Sequence, residues 1–193
     1  VGLSLAVDGC GPGCEERYAA LRYFLEGDAL AVAGTAMAYP QRGDWYRHIV
    51  WCRAGWFLVV DEVWSHIEGE FLVEGRWHLL GDVSPVEGGL RSVQADARLE
   101  MRHVGSGQQD LVASDHACTE DYTSWIQRTV ARLTPGTGVR FATLFWADST
   151  DHRREFRLLP ENSGYRVEGG TDPVRIALSD KSEAPEISAT GAT

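Results

Sequence analysis

Residues 44–78, DWYRHIVWCRAGWFLVVDEVWSHIEGEFLVEGRWH, constrain the fold more than any other part of the chain. Residues 45–52 are aromatic and β-branched, 56–63 form a near-continuous apolar run closing on Asp61-Glu62, and 71–80 alternate between apolar and polar. Each pattern is that of a strand, because successive strand side chains point to opposite faces and β-branched and aromatic residues fit a pleated surface. Ala54-Gly55 leaves room only for a short turn, so the first two strands are expected to form an antiparallel hairpin.

The same rhythm runs through the rest of the chain. Strands are expected at residues 28–39, 93–103, 110–114, 122–133, 139–147, 155–159, 165–168 and 174–178. Between them lie turn sequences such as Glu87-Gly88-Gly89, Thr134-Pro135-Gly136 and Asn162-Ser163-Gly164. Small residues dominate 28–39, which suggests close approach by a neighbouring layer. Residues 15–26 fit a helical face and a strand equally. The expected fold is all-β, a two-layer antiparallel sandwich of the supersandwich kind with at most one short N-terminal helix. Residues 1–179 would form this domain. Residues 180–193, rich in Ser, Thr, Ala and Pro, read as a flexible tail or linker.

Charge narrows the function. Acidic residues number 28 against 18 basic, a net charge of -10. Nucleic-acid binding needs a basic face, so no nucleic-acid partner is expected. No apolar run approaches the roughly 18 residues of a membrane-spanning helix, and no membrane partner is expected. Every basic residue but Lys181 is Arg, the side chain suited to bidentate recognition of carboxylate or sulfate. Codon bias also explains that skew, which by itself decides nothing about ligands.

Seven tryptophans offer flat apolar faces on which sugar rings can stack. Trp51, Trp125 and Trp146 lie in apolar runs and are expected in the core, whereas Trp45, Trp64 and Trp77 flank polar residues and are candidates for a glycan surface. Asp61 ends a buried strand, where it reads either as a general base or as the hydrogen-bonded partner of Arg47 across the hairpin. No HxH or HExxH spacing, P-loop, dinucleotide fingerprint or nucleophile elbow occurs, so no metal or cofactor is expected. The alternative metal trio, brought together only across strands, is His48, Asp61 and His78. Cys10 and Cys14 in CGPGC are open to disulfide, free-thiol or metal readings, and Cys52 reads as a small buried hydrophobe.

An aromatic and an Arg before a strand, a turn, a strand ending in Val-Val-Asp, and a Trp-His pair about fifteen residues on form a recognisable order. It resembles the C-terminal β-sandwich domain of heparinase II/III-type polysaccharide lyases, through Trp45, Arg47, Phe57, Val59, Val60, Asp61, Val63, Trp77 and His78. The resemblance implies a bacterial, secreted or periplasmic protein acting on a glycosaminoglycan or other uronate polysaccharide by β-elimination. It implies a partner α/α toroid in the same parent protein that supplies the proton-transferring Tyr and the groups neutralising the uronic carboxylate. Trp45, Arg47, Trp64, Trp77 and His78 would then line the glycan cleft, with His48 and Tyr46 as the residues to face the toroid. The chain holds no toroid and no His-x-His-x-Asp segment, so on this reading it is incomplete as an enzyme by itself. The alternative is a stand-alone carbohydrate-binding or scaffold module without lyase activity.

Overall fold

The computed structural model describes residues 2–7, 18–105, 108–114, 122–149, 153–170, 172–178 and 183–189. Its strands are β1 (Gly2–Val7), β2 (Tyr18–Glu26), β3 (Leu30–Tyr39), β4 (Gly43–Cys52), β5 (Trp56–Ser65), β6 (Gly69–Leu79), β7 (Asp82–Val86) and β8 (Gly89–Gln94). They continue as β9 (Ala97–Gly105), β10 (Gln108–Ser114), β11 (Tyr122–Leu133), β12 (Gly138–Ser149), β13 (Arg157–Glu161), β14 (Gly164–Glu168), β15 (Val174–Ala177) and β16 (Glu186–Ala189). No helix occurs among the described residues.

All pairing is antiparallel, in three sheets. A first sheet runs β1-β6-β11-β10, a central eight-stranded sheet runs β2-β3-β4-β5-β12-β9-β8-β7, and a third runs β13-β14-β15-β16. The expected hairpin forms with Trp45 opposite Val63 and Cys52 opposite Trp56. Along β5 the alternation divides the residues cleanly. Leu58 and Val60 pack with Tyr165, Val167 and Ile176 of the third sheet. Val63 packs with Leu5 and Phe71, and Val59 with Trp77 and Trp125, all from the first sheet. The central sheet is therefore buried on both faces, which is why residues 56–63 read as a continuous apolar run. The expected sandwich is the first sheet on the central one, and the third sheet adds a layer on the opposite face.

Residues 18–26 form a strand, β2, the second of the two readings open for 15–26. Other elements differ from the sequence reading. The run at 93–103 is broken into β8 and β9 by a two-residue turn at Ala95-Asp96, with Gln94 opposite Ala97 and Ala95 at a φ of 52°. The alternation there rested on Ala95 and Ala97, both exposed and too small to drive burial. β7 was not expected; it forms the edge of the central sheet, where Pro85 is tolerated because an edge strand can leave one side unpaired. Within the segment expected as a tail, Glu186–Ala189 pairs with β15 and Ile187 packs on the core. Cys52 is a buried free thiol in the core between the central and third sheets, as expected. Cys10, Cys14, Cys118, His116 and His152 lie outside the described residues.

Candidate functional site

Register sets which polar residues meet. Arg47 and Asp61 are direct partners on β4 and β5 and point toward the first sheet. The Arg47 guanidinium grips Asp61 with two bonds, Nε to Oδ1 at 2.8 Å and Nη2 to Oδ2 at 2.9 Å. Trp45 Nε1 donates a third bond to Oδ1 at 2.7 Å. A carboxylate so fully paired, and 1% exposed, is a structural anchor and not a general base. The guanidinium also lies 5.2 Å from the centre of the Trp77 ring. Trp77 Nε1 donates to Gln127 Oε1 at 3.1 Å, and the Gln127 amide donates to Thr143 Oγ1 at 2.8 Å and His103 Nδ1 at 2.9 Å. Burial pulls His103 down to about 4, against a hydrogen bond to the Ala142 backbone, so the ring is neutral and Nδ1 is free to accept.

The opposite face of the same two strands carries a second network. His48 Nδ1 lies 2.5 Å from the Tyr23 hydroxyl, and Nε2 lies 3.1 Å from Glu62 Oε2. Arg140 Nε donates to Glu62 Oε1 at 2.5 Å. Burial raises Glu62, but the bonds from His48 and Arg140 and the Arg140 charge outweigh it and hold the carboxyl below its ordinary value. Burial first, then the Glu62 charge, pushes the Tyr23 hydroxyl well up. An ionised Glu62 needs a donor at Nε2, so in the neutral ring Nδ1 accepts the Tyr23 proton. A register shift between Leu21 and Tyr23 turns Tyr23 to this face. Its ring then crosses Gly34 of the intervening strand, where an added Cβ would stand 2.2 Å from Cε1.

The exposed apolar side chains beside these networks lie on the first-sheet side of β2, β3 and β4. Between them are Ala31 and Ala33, small residues opposite Trp51 and Ile49 across the β3–β4 pair. Phe24, opposite Ala33, and Leu21 stand on the other side. Leu21, Phe24 and Trp51 are 65%, 59% and 49% exposed, whereas most of the molecule's large apolar side chains are covered. Among the described residues, β1 pairs with β6 over Phe71–Arg76. Arg47 lies four residues from Trp51 on the same face of β4 and is committed to Asp61 and the Trp77 ring. The exposed Trp51 indole, with small residues opposite it, offers a flat face to a sugar ring.

The residues expected to form one cleft divide among three surfaces. Trp45, Arg47 and Trp77 share the space between the first and central sheets, but Trp45 is 1% exposed and Trp77 8%, so neither offers a face to a ligand. Trp64 follows Val63 on β5 and points to the third-sheet side. His78 is exposed on the outer side of the first sheet, edge-on to Tyr122 and 3.2 Å from Ser124 Oγ. Tyr46 sits opposite Glu62 on the His48 face. His48 is 2% exposed and both its ring nitrogens are engaged. Because His48 and Asp61 face opposite ways and His78 lies beyond the first sheet, the structure does not assemble them as a metal site; no such cluster occurs among the described residues. Trp51 was expected in the core and is instead the exposed indole. β4 approaches solvent at that end, a property of the whole sheet that residues 45–52 alone do not carry. Tyr23 and Arg140 went unnoticed because their partners lie 25 and 78 positions away.

No protein-family model matches the sequence, and no curated protein matches it. In fold the chain is similar to part of a solved heparinase III gene product, with a TM-score of 0.61 at 10% identity over 96% of this chain and 29% of that one. It is similar to the heparan sulfate lyase HepC from Pedobacter heparinus, with a TM-score of 0.58 at 12% identity over 97% of this chain and 30% of that one. A further heparinase III gives 0.58 at 14% identity over 88% and 28%. The chain thus spans less than a third of the length of these proteins, and what it shares with them is the fold.

Proposed function

We propose that the chain is the β-sandwich module of a heparinase II/III-like polysaccharide lyase, lining a glycan cleft in which a uronic-acid polysaccharide undergoes β-elimination. The observation that carries this reading is the fold likeness over 96% of the chain to only 29% of a heparinase III, which leaves room for a larger catalytic domain in the parent protein. Elimination needs a base at carbon 5 and groups that neutralise the carboxylate as the enolate forms. His48 and Asp61, the natural candidates, are consumed by Tyr23, Glu62, Arg47 and Trp45. The base and neutralising groups then belong to an α/α toroid outside this chain, while Trp51 and Phe24 form the module's share of the sugar surface. A substrate of this kind places the parent protein in a bacterial periplasm or outside the cell.

The engagement of both His48 nitrogens favours one alternative, a stand-alone carbohydrate-binding or scaffold module. Incubating the chain with heparan sulfate or alginate and following the near-ultraviolet absorbance of unsaturated uronide tests the division of roles. No product is expected from the chain alone. Sustained product formation would overturn the assignment of the chemistry to another domain.

A further inference from the structure

We infer that a second pocket, walled by arginines at the far end of the central sheet, binds a tetrahedral oxyanion of the sulfate or phosphate type. It lies on the third-sheet side of β8, β9 and β12, encloses about 240 Å³, and is lined by Arg91, Arg98, Glu100, Arg102, Arg153 and Arg154 with Trp146 and Glu155. A water occupies roughly 30 Å³ of liquid, so the space takes a sulfate-sized group with part of its hydration.

The charge balance points to an anion. Five guanidiniums line the pocket against Glu100 and Glu155, and the buried Asp148 touches Arg98 and Arg154 from below. Two positive charges remain uncompensated, on a chain whose net charge is -10. Glu100 alone serves three arginines. Arg91 Nε donates to its Oε1 at 2.5 Å, Arg102 Nη1 donates to Oε2 at 3.1 Å, and Arg98 Nε stands 3.3 Å from Oε1. One carboxylate accepts about four hydrogens, and three guanidiniums present about fifteen.

The second observation is Arg98 itself. The residue is 6% exposed, yet its Nε reaches Glu100 Oε1 only at 3.3 Å and without the alignment of a hydrogen bond. Its Nη2 approaches Asp148 only at 3.6 Å. A buried guanidinium held by two loose ion pairs is under-satisfied, and an oxyanion in the pocket would supply better-aligned acceptors. The surrounding frame is already fixed. Arg154 spends its donors on Asp148, Ala54 and Ala147, and Arg102 is stacked 5.0 Å from the Trp146 ring. Arg91, Arg98, Arg102 and the exposed Arg153 therefore carry the donors left for a ligand. This site is on the opposite face of the central sheet from Trp51 and does not depend on the lyase reading.

The test compares the thermal midpoint and calorimetric titration of the chain in sodium sulfate and in sodium chloride at matched ionic strength. Sulfate is expected to raise the midpoint and to bind, and Arg91→Gln and Arg102→Gln, both at partly exposed positions, are each expected to weaken that binding at least fivefold. Their midpoints in chloride should stay within a few degrees of the parent, which separates ligand loss from unfolding if Arg98→Gln fails to fold. A midpoint identical in the two salts, or a sulfate response unchanged in both variants, would overturn the site. A sulfated oligosaccharide that outcompetes its desulfated counterpart, and does so less in the variants, would identify a glycan sulfate ester as the source. Binding of inorganic sulfate or phosphate without that preference would identify the free anion.

Discussion

Tyr23 reaches His48 by lying across Gly34, so that three strands of the central sheet are joined by one side chain. An added Cβ at Gly34 would sit 2.2 Å from the tyrosine ring. Gly34→Ala must therefore lift the ring and break its bond to His48, leaving a buried nitrogen without its donor. The expected cost is about 1–3 kcal/mol. Tyr23→Ala should remove most of that penalty, so urea unfolding of the two single variants and the double variant should show strong non-additivity. Additive losses would mean that the ring does not depend on the glycine.

A pH dependence follows from His103. Its folded value of about 4 lies below the ordinary 6.5, so between those two pH values the unfolded chain binds the extra proton. Stability is then complete above pH 6.5 and declines as pH falls toward 4, by up to about 3 kcal/mol. Glu62 and Asp148 extend the decline below the ordinary carboxylate range. Burial raises both, but Arg140 with His48, and Arg154 with Arg98, hold them down, and that stabilisation is lost as they protonate. Chemical unfolding from pH 7 to 4 should show His103→Gln losing much of the slope between 6.5 and 4. An unchanged slope would place the titrating group elsewhere.

Ala95 holds a left-handed conformation at φ 52° that a side chain disfavours by about 1–2 kcal/mol. Glycine relieves this, less the greater freedom it gives the unfolded chain. Ala95→Gly should accordingly stabilise the protein by about 0.5–1 kcal/mol in a denaturant titration. A loss of stability would show that the β8–β9 turn is not strained at that residue.

What the sequence revealed depended on how local the cause was. The hairpin was legible because residues 45–52 and 56–63 carry their own pattern and are separated by three residues, Arg53, Ala54 and Gly55, that allow only a turn. The Arg47–Asp61 pair was legible as one of two readings because hairpin register fixes it. The third layer was not, since the continuous apolar run at 56–63 fits burial on two faces but does not name the strands that cover the second. Trp51 was misjudged because an apolar neighbourhood in sequence does not reveal where a sheet runs past its covering layer. The Tyr23–His48 contact needed both a bulge in β2 and a glycine in β3, and neither has a sequence signal that specifies its partner.

The contrast between Trp51 and Trp45 measures the central claim most directly. Trp51 is half exposed on the first-sheet side of β4, whereas Trp45 is buried and bonded to Asp61. Calorimetric titration of the chain with uronate oligosaccharides, and with a neutral glucan as reference, should show selective binding of the uronate chains. Trp51→Ala should weaken that binding about five- to tenfold, a loss of roughly 1–1.4 kcal/mol, with little change in melting temperature. Trp45→Ala should destabilise the fold by about 3–5 kcal/mol. No uronate binding, or binding untouched by Trp51→Ala, would contradict the assignment of this face to a glycan cleft.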